Sequence, residues 1–236
     1  LQPGDEVMGE INGSYAEFAI AKERWLTNKP AGTTFEDAAG VPLAALTALQ
    51  GLRDHGKVQA GQKVLVNGAS GSVGTFTVQI AKAMGAEVTA VCSTGNVEAA
   101  RAIGADHVID YTKEDFAQKT SHFDVMVDIV GNRSPKACRD VLINGGIYVL
   151  IGGPKGRVLG PIPRMIRAMV TFMGRSQKMA WFVASVVQED LDHLKDLVEE
   201  GKLTTVIDRR YTLSEVPEAF LYLGEGHAKG KLVITI

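Results

Sequence analysis

Residues 64–74 read VLVNGASGSVG: a run of strand formers that ends in three evenly spaced glycines, Gly68, Gly71 and Gly74. The segment after them, SVGTFTVQIAKAMG, has helical spacing, so the glycines stand where a strand turns into a helix. That order has a physical use. The first turn of a helix presents N–H groups and the positive end of its dipole, and glycine lets a backbone come close to an anion. The amides of Ser70, Gly71, Ser72, Val73 and Gly74 are therefore the expected pyrophosphate site of a dinucleotide, a G-x-x-G-x-x-G variant of the dinucleotide fingerprint.

Working outward, the chain alternates between about residues 62 and 152. KVLVNG, EVTAVC, HVIDY, FDVMVDIV and GIYVLIG read as strands. SVGTFTVQIAKAMG, NVEAARAIG and SPKACRDVL read as helices, the last with Ser134 as its cap and Pro135 as its first residue. Uniformly apolar strands between short helices mark a parallel sheet covered on both faces. The expected fold is α/β, a doubly wound (Rossmann) parallel sheet.

The second strand of such a sheet reads the adenosine ribose. An NAD site places Asp or Glu roughly 20 residues past the glycine loop. Here EVTAVC runs into Ser93, Thr94, Gly95 and Asn96, with no carboxylate in that tip. Hydroxyl and amide donors there suit a 2′-phosphate, so the expected cofactor is NADP (NADPH) rather than NADH.

The flanks differ in kind. Residues 1 to about 30 carry short apolar runs, VMGEI and YAEFAIA, split by a turn at Asn12-Gly13, which is β organisation. TFEDAA opens a helical stretch capped by Thr34, and Pro42 divides that stretch into two pieces. Residues 153–187 show no clean period. DLDHLKDLVEEG is an amphipathic helix closed by Gly201, Ser214 caps another helix, and KLVITI ends the chain as a strand.

The 236 residues suffice for one large domain or two small ones, and a net charge of −2 argues against a nucleic-acid binder. Two cysteines, Cys92 and Cys138, stand far apart with no C-x-x-C, which suits a reducing compartment and excludes a cysteine-rich zinc site. The acidic, turn-rich LQPGDEVMGE is unlike a signal peptide, and no apolar run reaches roughly 18 residues. A cytoplasmic protein is expected.

PGDEVMG, GSYAEFAIA, AAGVPLAALTALQGL, VLVNGASGSVG, AIGADHVIDY, VGN and GHAKGKLVITI follow one another as in the medium-chain dehydrogenase/reductase superfamily. The chain resembles its zinc-independent quinone oxidoreductase branch. The resemblance implies a GroES-like β-rich domain facing a Rossmann domain across a cleft. Part of the catalytic domain would fall in residues 1–42, the dinucleotide domain in 43–187, and a returning segment in 188–236. It also implies that relatives carry a further front region. The implied activity is NADPH-dependent reduction of a small-molecule quinone or activated double bond, in a homodimer. No four-cysteine lobe follows PGDEV, and Leu43, Ala44 and Ala45 occupy the stretch where zinc-containing relatives place a cysteine ligand, so no metal is expected.

By the same resemblance, Thr47 contacts the nicotinamide-ribose side, Ser93, Thr94 and Asn96 meet the 2′-phosphate, and Tyr111 flanks the adenosine. Val130, Gly131, Asn132, Ile151, Gly152 and Gly153 close the fourth and fifth strands at the edge where ligands lie, and Lys231 lies near the cofactor. A zinc-free alcohol dehydrogenase, an enoyl-thioester reductase or a non-catalytic NADPH-binding protein stays open on the same scaffold.

No catalytic residue is assigned. His55, His107, His122, His193 and His227 stand alone beside charged or loop residues and read as solvated, and both cysteines read as buried filler. From Val141 to Gln188 there is no Asp or Glu, yet Lys155, Arg157, Arg164, Arg167, Arg175 and Lys178 alternate with methionines and aromatics. A dimer contact is the favoured reading of this stretch, ahead of a cationic substrate wall at a membrane surface.

Overall fold

The structure, a computed structural model, describes residues 1–152, 162–226 and 228–236, and of residues 162–164 the backbone alone. Gly153, Lys155, Arg157 and His227, with the side chain of Arg164, lie outside the described residues. The chain divides into two compact units. One comprises residues 1–47, 71–76 and 184–236; the other comprises 48–70 and 77–183.

In the first unit, β1 (Val7–Gly9) pairs antiparallel with β2 (Leu26–Asn28), Met8 opposite Thr27. Gly13 turns with φ 78°, the left-handed value that glycine tolerates. YAEFAIA forms no strand, and Phe18 and Ile20 are 89% and 96% exposed. Apolar alternation makes a strand only where a neighbouring ladder meets its backbone, and no described strand does so here. Two helices follow, α1 (Phe35–Gly40) and α2 (Pro42–Gln50). Thr34 caps α1 by accepting from Asp37 N at 3.1 Å, and Pro42 opens α2 where its missing N–H costs nothing.

The second unit is built on a sheet. Its elements are β3 (Lys63–Asn67), α3 (Ser72–Ala83), β4 (Glu87–Cys92), α4 (Val97–Ala102), β5 (His107–Asp110) and β6 (Phe123–Asp128). They continue through α5 (Pro135–Asp140), β7 (Leu142–Leu150), α6 (Ile162–Phe172) and β8 (Lys178–Trp181). The first turn of α3 clusters with the first unit. The six strands are parallel in the order β5-β4-β3-β6-β7-β8, the doubly wound arrangement expected. Leu65, Met126, Phe123, Leu142 and Tyr148 are buried in its core, each contributing about 1.5–3 kcal/mol from apolar burial.

The stretch whose sequence shows no period holds α6 and β8. Helix α6 buries Ala168 and Phe172 and exposes Ile166, Met169, Val170 and Met173, so apolar residues on two faces blur the period. Phe172 stacks on Tyr148 with centroids 5.4 Å apart.

The first unit closes with α7 (Gln188–Glu199), which buries Leu191, Leu194 and Leu197, then β9 (Ile207–Thr212), α8 (Val216–Glu225) and β10 (Lys231–Thr235). β10 runs parallel to β9. The turn into α8 is capped from Thr212, whose N–H donates to Glu215 Oε2 at 2.7 Å, and not from Ser214 as the sequence suggests. Thr212 is the last extended residue before that turn, and Ser214 lies inside it.

Gly152 stands where β7 ends, and a Cβ added to it would lie 2.0 Å from Ile129 O. Both partners are backbone and cannot yield. Gly152→Ala is expected to cost about 1–3 kcal/mol or more, lowering Tm by roughly 2–4 °C per kcal/mol. A thermal melt checks this, and an unchanged Tm contradicts it.

Candidate cofactor site

Sheet winding reverses between β3 and β6, and open α/β sheets hold ligands outside the strand ends at such a switch point. The two carboxyl ends are in register, Asn67 opposite Asp128. β3 turns sharply at Gly68, whose φ of 94° is open to glycine and costly for other residues. A Cβ there would meet Val130 Cγ2 at 2.6 Å. Thr75 N donates to Gly71 O at 2.9 Å, so Gly71 opens α3 and Ser72, Val73 and Gly74 form the first turn, as the glycine spacing requires.

Asp128 is fully buried and organises this edge. Its Oδ1 accepts from Asn67 Nδ2 and from Gly131 N, both at 2.8 Å. Its Oδ2 accepts from the Tyr148 hydroxyl at 2.7 Å, with Cys138 Sγ at 3.9 Å. Asn67 Nδ2 also reaches Asn132 Oδ1 at 3.1 Å. One oxygen therefore faces the loop Val130-Gly131-Asn132 and the other faces the core. Buried carboxylates survive only when hydrogen-bonded in this way. None of Asn67, Asp128 or Tyr148 stands out in the sequence. The available signal is an acid, Asp128, directly after the apolar run Val125-Met126-Val127.

At the tip of β4 the structure corrects the sequence reading. A carboxylate is present, delivered from the neighbouring strand: Asp110 ends β5 in register with Cys92. Its Oδ2 accepts from Thr94 Oγ1 at 2.6 Å, and its Oδ1 accepts from Thr112 Oγ1 at 2.7 Å and Thr112 N at 3.0 Å. Lys113 Nζ lies 3.3 Å from the same Oδ2. These partners, the Thr94 hydroxyl foremost, hold the Asp110 carboxyl well below the usual carboxylate range. Asn96 is buried with its amide turned onto Ser93 Oγ at 3.0 Å. Tyr111 is half exposed beside this tip, its N–H on Cys92 O at 3.0 Å. Ile151 and Gly152 each donate a backbone N–H to Asp128 O.

In the first unit, Ser72 and Lys231 line one cavity of about 260 Å³, with Leu43, Tyr15, Phe220 and Leu223 as its apolar wall. Tyr15 and Phe220 meet edge-on at 5.7 Å. Burial pushes the Lys231 ammonium down from the ordinary lysine range, against a smaller upward pull from Glu10. Among the described residues the ammonium has no hydrogen-bond or ion-pair partner. Thr47 donates its hydroxyl to Leu43 O at 2.7 Å, a back-bond within its own helix, so only its lone pairs face outward.

Three histidines have a described partner: His122 meets Phe123 edge-on at 4.8 Å, and the other two are His55 and the exposed His107. His55 stacks on Phe182 at 4.2 Å, and His107 Nε2 lies 3.0 Å from Glu87 Oε1. A groove of about 440 Å³ that includes His107 and His122 opens at the amino ends of the strands, the wrong edge for a dinucleotide.

The sequence matches the zinc-binding dehydrogenase family over residues 103–234, more than half of the chain. The chain belongs to that family. Within it, the relatives place the chain in the quinone oxidoreductase branch of the medium-chain dehydrogenase/reductase superfamily. The chain is 36% identical over its whole length to a mitochondrial NAD(P)H oxidoreductase, RTN4IP1, of Mus musculus, and spans 65% of that relative. It is likewise 36% identical over 99% of its length to a 2-methylene-furan-3-one reductase of Solanum lycopersicum, spanning 58% of it. The quinone oxidoreductase of Coxiella burnetii superposes with a TM-score of 0.88 at 30% identity, over 100% of this chain and 73% of that one.

The family name carries zinc, but the described residues do not fit the ion. No three His, Cys, Asp or Glu side chains converge among them, and Cys92 and Cys138 are buried in β4 and α5.

The split of roles at Asp128 is testable. Asp128→Asn keeps the volume but cannot accept from Asn67, Gly131 and Tyr148 together, so it should weaken NADPH binding about tenfold. Tyr148→Phe, which touches only the core-facing oxygen, should lower Tm by several degrees and leave NADPH affinity within twofold. Fluorescence titration with thermal melts checks both; equal effects on affinity contradict the split.

Proposed function

We propose that this chain binds NADPH and that the protein it belongs to transfers hydride to a quinone or an α,β-unsaturated carbonyl without zinc. The observation that carries the reading is the pairing of Ser72, in the first turn of α3, with the desolvated ammonium of Lys231, which has no hydrogen-bond or ion-pair partner among the described residues, in one cavity. A helix mouth and a desolvated cation both favour a phosphate group. Within the first unit, the amides of Gly71 to Gly74 and Lys231 would hold the pyrophosphate, and Ser70 leads into that turn. Ser93, Thr94 and Tyr111 would take the adenosine end, with Asn96 bracing Ser93. In the second unit Val130, Gly131, Asn132, Ile151 and Gly152 would line the nicotinamide side; in the first, Thr47 would present an acceptor.

NADPH, when bound, supplies the hydride. The chain's own part is to hold the donor in place and keep water away, which accounts for most of what such a transfer asks of a protein. Relatives named for reducing an enone and a quinone support conjugated acceptors. The chain spans 65% of the mouse relative, so acceptor and activity are proposed for the longer protein. Among the described residues no helix is long and apolar enough to cross a membrane. Cys92 and Cys138 are buried and form no disulfide, which supports a reducing, cytoplasmic setting.

Oxidation of NADPH by a panel of quinones and enones tests this directly; a protein that binds NADPH but oxidises it with none of them refutes the reductase reading. The lysine gives a pH test. Its ammonium loses its proton below the ordinary lysine range in the free protein, and a bound pyrophosphate raises that value again. NADPH affinity should therefore fall as pH rises through the lowered value, and Lys231→Met should be weaker and flat. A wild-type profile as flat as the variant's refutes the role of Lys231.

A homodimer is part of this proposal. Among the described residues β8 is an edge strand with no partner on its outer side, and Ile166, Met169, Val170 and Met173 form an exposed apolar stripe on the adjoining α6. Exposed edges and stripes of this kind are normally covered. Sedimentation should give a dimer that Met169→Glu with Val170→Glu converts to monomer. A monomeric wild type whose recovery with anionic vesicles depends on the stripe assigns that face to a membrane instead.

A further inference from the structure

We propose that Asp110 and Lys113 set which dinucleotide this chain prefers, in opposition to each other; the proposal rests on the cofactor reading above. Both come from the end of β5 and the turn behind it, outside the strand tip that normally makes this choice. The geometry brings them there. Tyr111 N on Cys92 O ties the ends of β4 and β5 together, and Asp110 Oδ2 then lies 2.6 Å from Thr94 Oγ1 and 3.3 Å from Lys113 Nζ.

A count of protons shows what the tip offers a ligand. Thr94 and Thr112 each own one hydroxyl proton, and Asp110 accepts from both hydroxyls, which also lie 2.8 Å from each other. Both protons are spent inside this triad, so Thr94 presents lone pairs outward. Lone pairs beside a carboxylate accept from a ribose 2′-hydroxyl, the donor that NADH carries. A 2′-phosphate brings about two negative charges and no donor, and Asp110 repels it.

Lys113 tips the balance the other way. It is the cation that Ser93-Thr94-Gly95-Asn96 lacks, its side chain is 69% exposed, and it contacts the same carboxylate oxygen as Thr94. It can leave Asp110 for a 2′-phosphate at the cost of one exposed ion pair, itself worth little. The tip therefore accepts both nucleotides, with NADH favoured by the Asp110 charge and NADPH by the Lys113 charge.

Fluorescence titration of this chain with NADH and with NADPH tests the proposal, with thermal melts confirming that each variant is folded. Lys113→Met removes a surface charge and should weaken NADPH binding about tenfold while NADH stays within twofold. Asp110→Asn removes the opposing charge and should raise the NADPH:NADH affinity ratio about tenfold. If wild type binds both nucleotides and neither variant moves the ratio beyond twofold, the proposal is overturned while the cofactor reading stands. If wild type binds neither nucleotide, the cofactor reading falls and takes this proposal with it.

Discussion

The carboxylate of Asp128 has no contact with solvent and sits where the winding of the sheet reverses. Leaving such a charge buried without partners would cost several kcal/mol, so the chain around it is constrained to supply donors. Asn67 comes from the end of β3, Tyr148 from β7 and Gly131 N from the loop after β6. Three segments far apart in sequence are thereby held at one edge of the sheet. The loop Val130-Gly131-Asn132 is tied to the end of β3 by this arrangement.

The same requirement recurs at smaller scale along that edge. Asp110 gathers Thr94, Thr112 and Lys113 at the tips of β4 and β5, and the Asn96 amide is spent on Ser93. Lys231 is the contrasting case: its ammonium is desolvated and has no partner among the described residues, in a cavity it shares with Ser72. Satisfied polar groups make a scaffold, and an unsatisfied one marks where a ligand of opposite charge belongs. In the second unit rigid acids place the loops, and in the first a cation is left for an anion.

Much of this could be read from the residues in order. The strand-glycine-helix passage, the alternation from Lys63 to Leu150 and the caps at Thr34 and Ser134 depend on neighbours in sequence, and the structure has them where the pattern puts them. Helix α6 was hidden because its outward face is as apolar as its inward one. YAEFAIA promised a strand that does not form, since a ladder needs a partner that no local pattern can supply. The cap of the turn into α8 falls on Thr212, two residues before Ser214, because Ser214 already lies inside that turn.

The sequence by itself determined the class of sheet, the place of the helix mouth and the residue types around it, because periodicity and glycine spacing act over a few residues. Only tertiary structure decided which side chains share that edge. Asp110 lies 16 residues from Thr94, and Asp128 lies 61 residues from Asn67 and 20 from Tyr148, separations at which no sequence pattern specifies contact. Those pairings follow from parallel strand register, which fixes neighbours through backbone hydrogen bonds across the sheet. For that reason a strand tip that reads as free of acid carries one in the folded chain.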